Sequence, residues 1–344
     1  MDPQHITSEW LSSILGDSVT ITAERRIGDG LVGMNMRYEL AVPAGSSLPR
    51  SIIAKLPSPD PTSRATGVAL RNYEREVKFY EHIAPTVDIR VAKCWFGEWR
   101  EADGDFVLLL EDLSPAEQGN QVTGCSADLA RRSVLELARL HGPRWGDPAL
   151  DDIEFLQRRT AADAEQLQMM YGLFLPGFLA TYSKYLDSEG VALIERFAAR
   201  IIEWVDGRTM APTVTHGDYR LDNLMFASAA GGYPVAAVDW QTPGHGQASA
   251  DVSYFMGAGP LPDERRAIER SVIDEYLAAL DGYGVTVDAD DFWRHYCRDA
   301  YGGIIMSVVA SQIVGANDRS EAMFAAMATR HTRHALDVSA EGLI

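Results

Sequence analysis

Cysteine is scarce and scattered: Cys94, Cys125 and Cys297 are odd in number, far apart, and never form a CxxC pair. That pattern excludes a disulfide framework and a thiolate zinc site, and predicts reduced thiols in a cytoplasmic protein. Basic charge is also short, with 31 Lys and Arg against 49 Asp and Glu and a formal net charge of −18. A chain so acidic repels nucleic-acid backbones and anionic lipid headgroups, so neither is an expected partner. No apolar run reaches the ~20 residues that cross a bilayer. The opening MDPQHITSEW lacks the basic-then-apolar order of a signal peptide. What remains, 46% hydrophobic and 23% charged over 344 residues, suits a globular protein able to bury a core without covalent staples.

From Asn35 to Val42, Met36, Tyr38, Leu40 and Val42 alternate with Asn35, Arg37, Glu39 and Ala41, which predicts a half-buried strand. The turn-forming AGSSLPR and a second strand, SIIAKL, complete an expected hairpin. Residues Leu70 to Ile83 switch to helical spacing, with Tyr73, Val77 and Tyr80 on one stripe and Pro85 as the stop. VAKCWFGEW and DFVLLLED read as two more strands, so the N-terminal part is strand, strand, one helix, strand, strand. After Leu113, SPAEQGNQVTG reads as a linker.

Beyond it, Ser126 caps a predicted helix through Leu140 that Gly142-Pro143 ends. Further helices are expected near 161–185, 189–206, 263–281, 289–313 and 319–336. Two strand-like runs, VTHGDYRLDNLMF and PVAAVDW, interrupt them. The expectation is an α+β chain: a small mixed lobe over 1–113 and a helical lobe over 114–344 carrying an inserted hairpin.

The island at 214–239 places His216-Gly217-Asp218, then Asn223, then Asp239 at the end of the next strand. Phosphoryl transfer from ATP needs a carboxylate to orient an acceptor hydroxyl and take its proton, and oxygen ligands to hold Mg²⁺ against the phosphates. Asp218 suits the first task. Asn223 and Asp239, brought together by a hairpin, suit the second. Turn chemistry is the bland alternative, since Asp and Asn favour turns.

HGDYRLDN resembles the catalytic loop of the aminoglycoside phosphotransferase and choline-kinase-like superfamily, relatives of protein kinases. VDW stands where protein kinases carry a metal-binding DFG, with Trp240 in place of phenylalanine. LARLHGPRW and NYEREVKFY are similar to the ecdysteroid-kinase-like bacterial branch. The resemblance implies a protein-kinase-like two-lobed fold, ATP and Mg²⁺ as cofactors, and a small hydroxylated substrate. It implies that Asp218 is the catalytic base, that Asn223 and Asp239 bind the metal, and that His216 braces the loop. Asp251 would anchor that loop. Lys55 would hold the ATP phosphates, with Glu76 as its partner and Glu74 as the rival partner. Gly30, between Gly28 and Gly33, would lie near the phosphates, and Glu111 to Leu113 would form the adenine hinge.

A nucleotide-binding pseudokinase is the alternative; it would lack one of Asp218, Asn223, Asp239 or Lys55. His331 and His334, three apart on a predicted helix, read as a solvated helix end rather than metal ligands. His245 reads as a residue without a chemical role. Trp145, Trp204, Tyr171, Phe174 and Phe178 are expected in the helical core.

Overall fold

In a computed structural model, which describes residues 2–28, 32–158, 160–314 and 317–344, the alternating residues become the middle of a five-stranded antiparallel sheet. Strands β1 (Thr20–Ile27), β2 (Gly33–Ala41), β3 (Ser51–Pro57), β4 (Cys94–Arg100) and β5 (Asp105–Glu111) run in the order β1-β2-β3-β5-β4. The predicted hairpin is present: Asn35 faces Lys55 and Met36 faces Ala54.

Both sheet faces are covered, and strand alternation sorts them. Val107 and Leu109 join Met34, Met36 and Tyr38 in a core closed by Leu11 of helix α1 (Ser8–Leu15). Phe106, Leu108 and Leu110 face the other way, toward Tyr73 and Val77 of helix α3 (Asn72–Lys78) and Tyr80 beyond it. A π-type turn continues α3 through Phe79–Ile83. The expectation of one helix in this part is corrected to three, because α1 and α2 (Pro61–Ala69) are also helical.

The C-terminal helices are α4 (Ala127–His141), α5 (Ala161–Tyr182), α6 (Ser188–Phe197), α7 (Ile201–Asp206), α8 (Ala248–Ala258), α9 (Pro262–Asp281), α10 (Ala289–Asp299), α11 (Tyr301–Ile313) and α12 (Asp318–Asp337). Trp204, Tyr171 and Phe178 are fully buried among them, whereas Trp145 and Phe174 pack from part-exposed positions. Among the described residues, no helix is long and apolar enough to cross a membrane.

The island between α7 and α8 forms two small ribbons. Strand β7 (Thr213–Thr215) pairs with β10 (Gly244–Gly246), and β8 (Leu224–Ser228) pairs with β9 (Gly231–Ala237). The β8–β9 turn uses Gly231 and Gly232 at φ 119° and 103°, where an L side chain is strained. A short strand, β6 (Glu117–Gln118), adds to β8. The stretch read as a linker is therefore built in: Gln121 is fully buried, accepts the Leu221 N–H at 2.9 Å and donates to Ala258 O at 2.8 Å.

Candidate active site

A lysine in mid-strand must either reach water or be neutralised. Lys55 on β3 is 6% exposed, and its Nζ lies 2.7 Å from the Glu76 carboxylate and 2.5 Å from Asp239 Oδ1. Glu76 arrives from the sheet-facing side of α3 and is entirely buried. Burial works to lower the Lys55 pKa, but Asp239 and Glu76 outweigh it and push the ammonium up to about 12. Burial pushes the Glu76 carboxyl above its ordinary value, with Lys55 pulling against it. Asp239 is desolvated too, yet Lys55 holds its carboxyl below the usual range. The rival Glu74 turns away and binds Arg71 and Lys78, each at 2.7 Å.

Asp239 sits just past β9 with φ 66°, an uncommon backbone state for a non-glycine residue. The next residue explains how it is held. Trp240 is fully buried and stacks on Phe79 at 3.9 Å between ring centroids, 5° from parallel. That contact ties the Asp239 turn to the residue that follows α3, three residues beyond Glu76. Trp240 also lies against His216, at 4.4 Å.

His216 is fully buried. Its Nε2 donates to Val238 O at 3.0 Å and its Nδ1 accepts the Asp218 N–H at 3.3 Å. Those partners fix one neutral tautomer. The ring holds the loop through these bonds and is not among the residues that line the cleft. Asp251 on α8 accepts the backbone N–H groups of His216 at 2.6 Å and Gly217 at 3.0 Å. Burial alone would raise the Asp251 carboxyl, but hydrogen bonds from His141 and the His216 backbone hold it low.

Asn223 and Asp239 converge as the hairpin register requires: Leu224 faces Ala237, and Val238 N–H donates to Asn223 O at 2.9 Å. The Asn223 Nδ2 donates to Asp218 Oδ2 at 2.9 Å. That leaves Asn223 Oδ1 and Asp239 Oδ2 without a hydrogen bond among the described residues. Two uncommitted oxygens, one amide and one carboxylate, fit a hard divalent cation completed by phosphate and water.

These groups border a cleft of about 740 Å³ between sheet and helical lobe, within the ~300–1,000 Å³ of small-molecule sites. Its walls include Gly28, Gly33, Lys55, Glu76, Glu111, Leu113, Asn223 and Asp239. A Cβ at Gly33 would meet Leu56 O at 3.2 Å, a tight contact. Leu113 N–H has no hydrogen-bond partner among the described residues. The Glu111 side chain points behind the hinge to Arg90, 2.6 Å away. Asp218 is set behind the wall residues Arg220 and Asn223. Gly30 lies outside the described residues.

Sequence reasoning missed Arg220, whose Nε lies 3.2 Å from Asp218 and whose Nη1 lies 2.6 Å from Asp222. It also missed Tyr254, Phe79 and Gln121. Only Tyr254 carries a signal, standing three residues after Asp251 on one helix face. The histidine expectation is corrected as well: His331 and His334 are fully buried, and neither belongs to a metal cluster among the described residues. His245 on β10 sits 3.6 Å from Asp151.

Residues 50–289 match the family model described as the phosphotransferase enzyme family. Choline kinase from Cryptosporidium parvum Iowa II superposes with a TM-score of 0.54 at 12% identity, covering 94% of this chain and 91% of that one. The gentamicin complex of APH(2")-IIa superposes with a TM-score of 0.54 at 13% identity, covering 97% and 98%. The GDP complex of wild-type aminoglycoside 2'-phosphotransferase-IIIa gives 0.52 at 13%, covering 91% and 92%. These likenesses show the two-lobed, protein-kinase-like α+β fold. Acyl-CoA dehydrogenase family member 10 of Mus musculus is 30% identical over 129 residues, 37% of this chain and 11% of that protein. The chain thus spans about a tenth of that curated relative's length.

Proposed function

The chain belongs to the phosphotransferase enzyme family, and on that premise we propose a small-molecule kinase that moves the γ-phosphoryl group of ATP to an acceptor hydroxyl with Mg²⁺. Adenine lies against Glu111–Leu113, where the two lobes meet at the 113/114 boundary, and the phosphates reach Lys55. Asn223 Oδ1 and Asp239 Oδ2 are the oxygens that would hold magnesium, whose charge would offset that of the phosphates.

Asp218 takes the proton as the acceptor oxygen attacks the γ-phosphorus and the bond to the ADP oxygen breaks. Lys55 and Arg220 bring positive charge to the cleft, and the rest is positioning. The protein acts in the cytoplasm, in keeping with its three free cysteines. No observation favours the pseudokinase alternative, since Asp218, Asn223, Asp239 and Lys55 are all present.

The observation that carries this reading is the closed run of contacts from sheet to catalytic loop. Lys55 touches Glu76 and Asp239, and Val238, the residue before Asp239, is bonded to Asn223, whose amide holds Asp218. The test is Asp218→Ala, with ADP release followed over a panel of hydroxylated metabolites. Turnover should fall by ~10²–10⁴-fold while ATP affinity stays within about twofold. Comparable kcat in that variant removes the assignment.

A further inference from the structure

The fold supplies a second support for the catalytic loop that the roles assigned above do not use. Helix α8 turns two side chains, three residues apart, toward residues 216–218. Asp251 grips the backbone of His216 and Gly217. Tyr254 reaches past them, and its phenol donates to Asp218 Oδ1 at 2.8 Å.

The carboxylate's hydrogen bonds are unequal. Asp218 Oδ2 accepts from Asn223 Nδ2 at 2.9 Å and from Arg220 Nε at 3.2 Å. A carboxylate oxygen offers about two lone-pair directions, so Oδ2 is filled. Among the described residues, Oδ1 accepts from Tyr254 alone, which leaves it one direction for a substrate proton.

We propose that Tyr254 is a positioning residue that locks the Asp218 carboxylate with Oδ1 as the proton-accepting oxygen. This rests on the reading of Asp218 as the base. The acceptor O–H proton passes to Asp218 Oδ1, the acceptor oxygen bonds to the γ-phosphorus, and the bond to the ADP oxygen breaks. The phenol stays a donor throughout. Burial raises its pKa far above the ordinary value and the Asp218 charge raises it further, so no proton leaves it at working pH.

The ring behind that phenol is itself held. Tyr254 is 7% exposed and stacks on His331, 5.2 Å between centroids and 22° from parallel. His331 fits only because Gly257 and Gly303 leave room; a Cβ at either would approach its ring to 2.5 or 2.1 Å. A tyrosine so wedged presents its hydroxyl at one point, which is what a positioning group requires.

Tyr254→Phe removes the hydroxyl and keeps the ring and its stack. In ADP-release assays with an acceptor from the panel, or with water as acceptor, kcat should fall about tenfold or more. ADP affinity should stay within about twofold, so the loss falls on kcat and not on the nucleotide site. On an Asp218→Asn background, Tyr254→Phe should cost nothing further, because its action runs through that carboxylate. An equal loss on both backgrounds, or a wild-type kcat, overturns the proposal.

A readout independent of turnover is the carboxyl ¹³C signal of Asp218, assigned by its loss in Asp218→Asn. It should move in Tyr254→Phe while the Asp251 signal holds, and a signal that stays put overturns the proposal whatever the activity. If Asp218→Asn itself keeps wild-type kcat, the base assignment fails instead, a result distinct from any Tyr254 outcome.

Discussion

Lys55 shows how one side chain joins stability to chemistry. Its ammonium has two carboxylate neighbours, and one of them, Glu76, is fully buried. Lys55→Met leaves that carboxylate without its cation in a low-dielectric site. Loss of one partner of a buried pair costs about 3–5 kcal/mol, and urea unfolding should show a loss of that size. Adding Glu76→Leu should recover most of it without restoring nucleotide binding. An unchanged urea midpoint in Lys55→Met would falsify the account.

The pair was legible in the sequence only through the resemblance of SIIAKL and REVKFY to a known family. Periodicity put Glu76 beside the Tyr73, Val77 and Tyr80 stripe, but it left Glu74 as a competitor. Geometry decides between them by reach. Glu74 is satisfied locally by Arg71 and Lys78, and Arg71 leads in drawing its carboxyl down to about 2. Phe79 and Gln121 had no such handle: a core aromatic and a loop glutamine look alike in any sequence until their partners, Trp240 and the Leu221 N–H, are seen.

At the scale of elements, the strands with strong alternation were readable and β1 was not. Its run TITAERRI lies mostly exposed at the sheet edge, so no buried face writes a pattern into it. Two helices read as continuous are each broken. Leu193, Ile194, Phe197, Ile201 and Trp204 keep helical spacing across the break between α6 and α7. Phe292, Tyr296, Ala300, Ile304 and Val308 do the same across α10 and α11. Apolar spacing records which residues face the core, and it is blind to a local change of axis.

Helix α8 was expected to supply only Asp251. That carboxylate satisfies two backbone donors of the 216–218 loop, a buried one at His216 and a part-buried one at Gly217, and charge-assisted bonds of this kind contribute about 1.5–3 kcal/mol each. Asp251→Ala should therefore destabilise by roughly 3–6 kcal/mol in urea unfolding. It should also lower kcat at least tenfold, with ATP affinity changed little, because Lys55 and the hinge are untouched. A variant with weakened nucleotide binding and normal kcat would place Asp251 in the wrong role.

The molecule as a whole should soften in mild acid, and the cause is the pair of histidines read as solvated. His331 and His334 are fully buried on α12, with no hydrogen bond to any ring nitrogen among the described residues. Tyr254 faces them from α8, Arg265 and Glu269 from α9, and Tyr296 from α10, with Arg330 beside them on α12. Burial drives both imidazoles down, helped by Arg330 and Arg265 for His331 and by Arg265 for His334. His331 reaches about 3, and His334 falls well below its ordinary 6.5. Rings neutral when folded but protonated when unfolded stabilise the fold fully above pH ~6.5 and lose that contribution as pH falls toward the folded value. Each ring contributes a slope of ~1.4 kcal/mol per pH unit below that point, or roughly 4 kcal/mol for the pair between pH 7.5 and pH 5. Most depressed carboxylates keep their charge down to pH 5, whereas burial lowers His245 and His295 as well, so the difference between wild type and the double variant is what isolates the pair. Urea unfolding at the two pH values should show that loss in the wild type and little of it in His331→Gln/His334→Gln. Equal acid sensitivity in both proteins would mean that the buried rings are not the groups taking up protons.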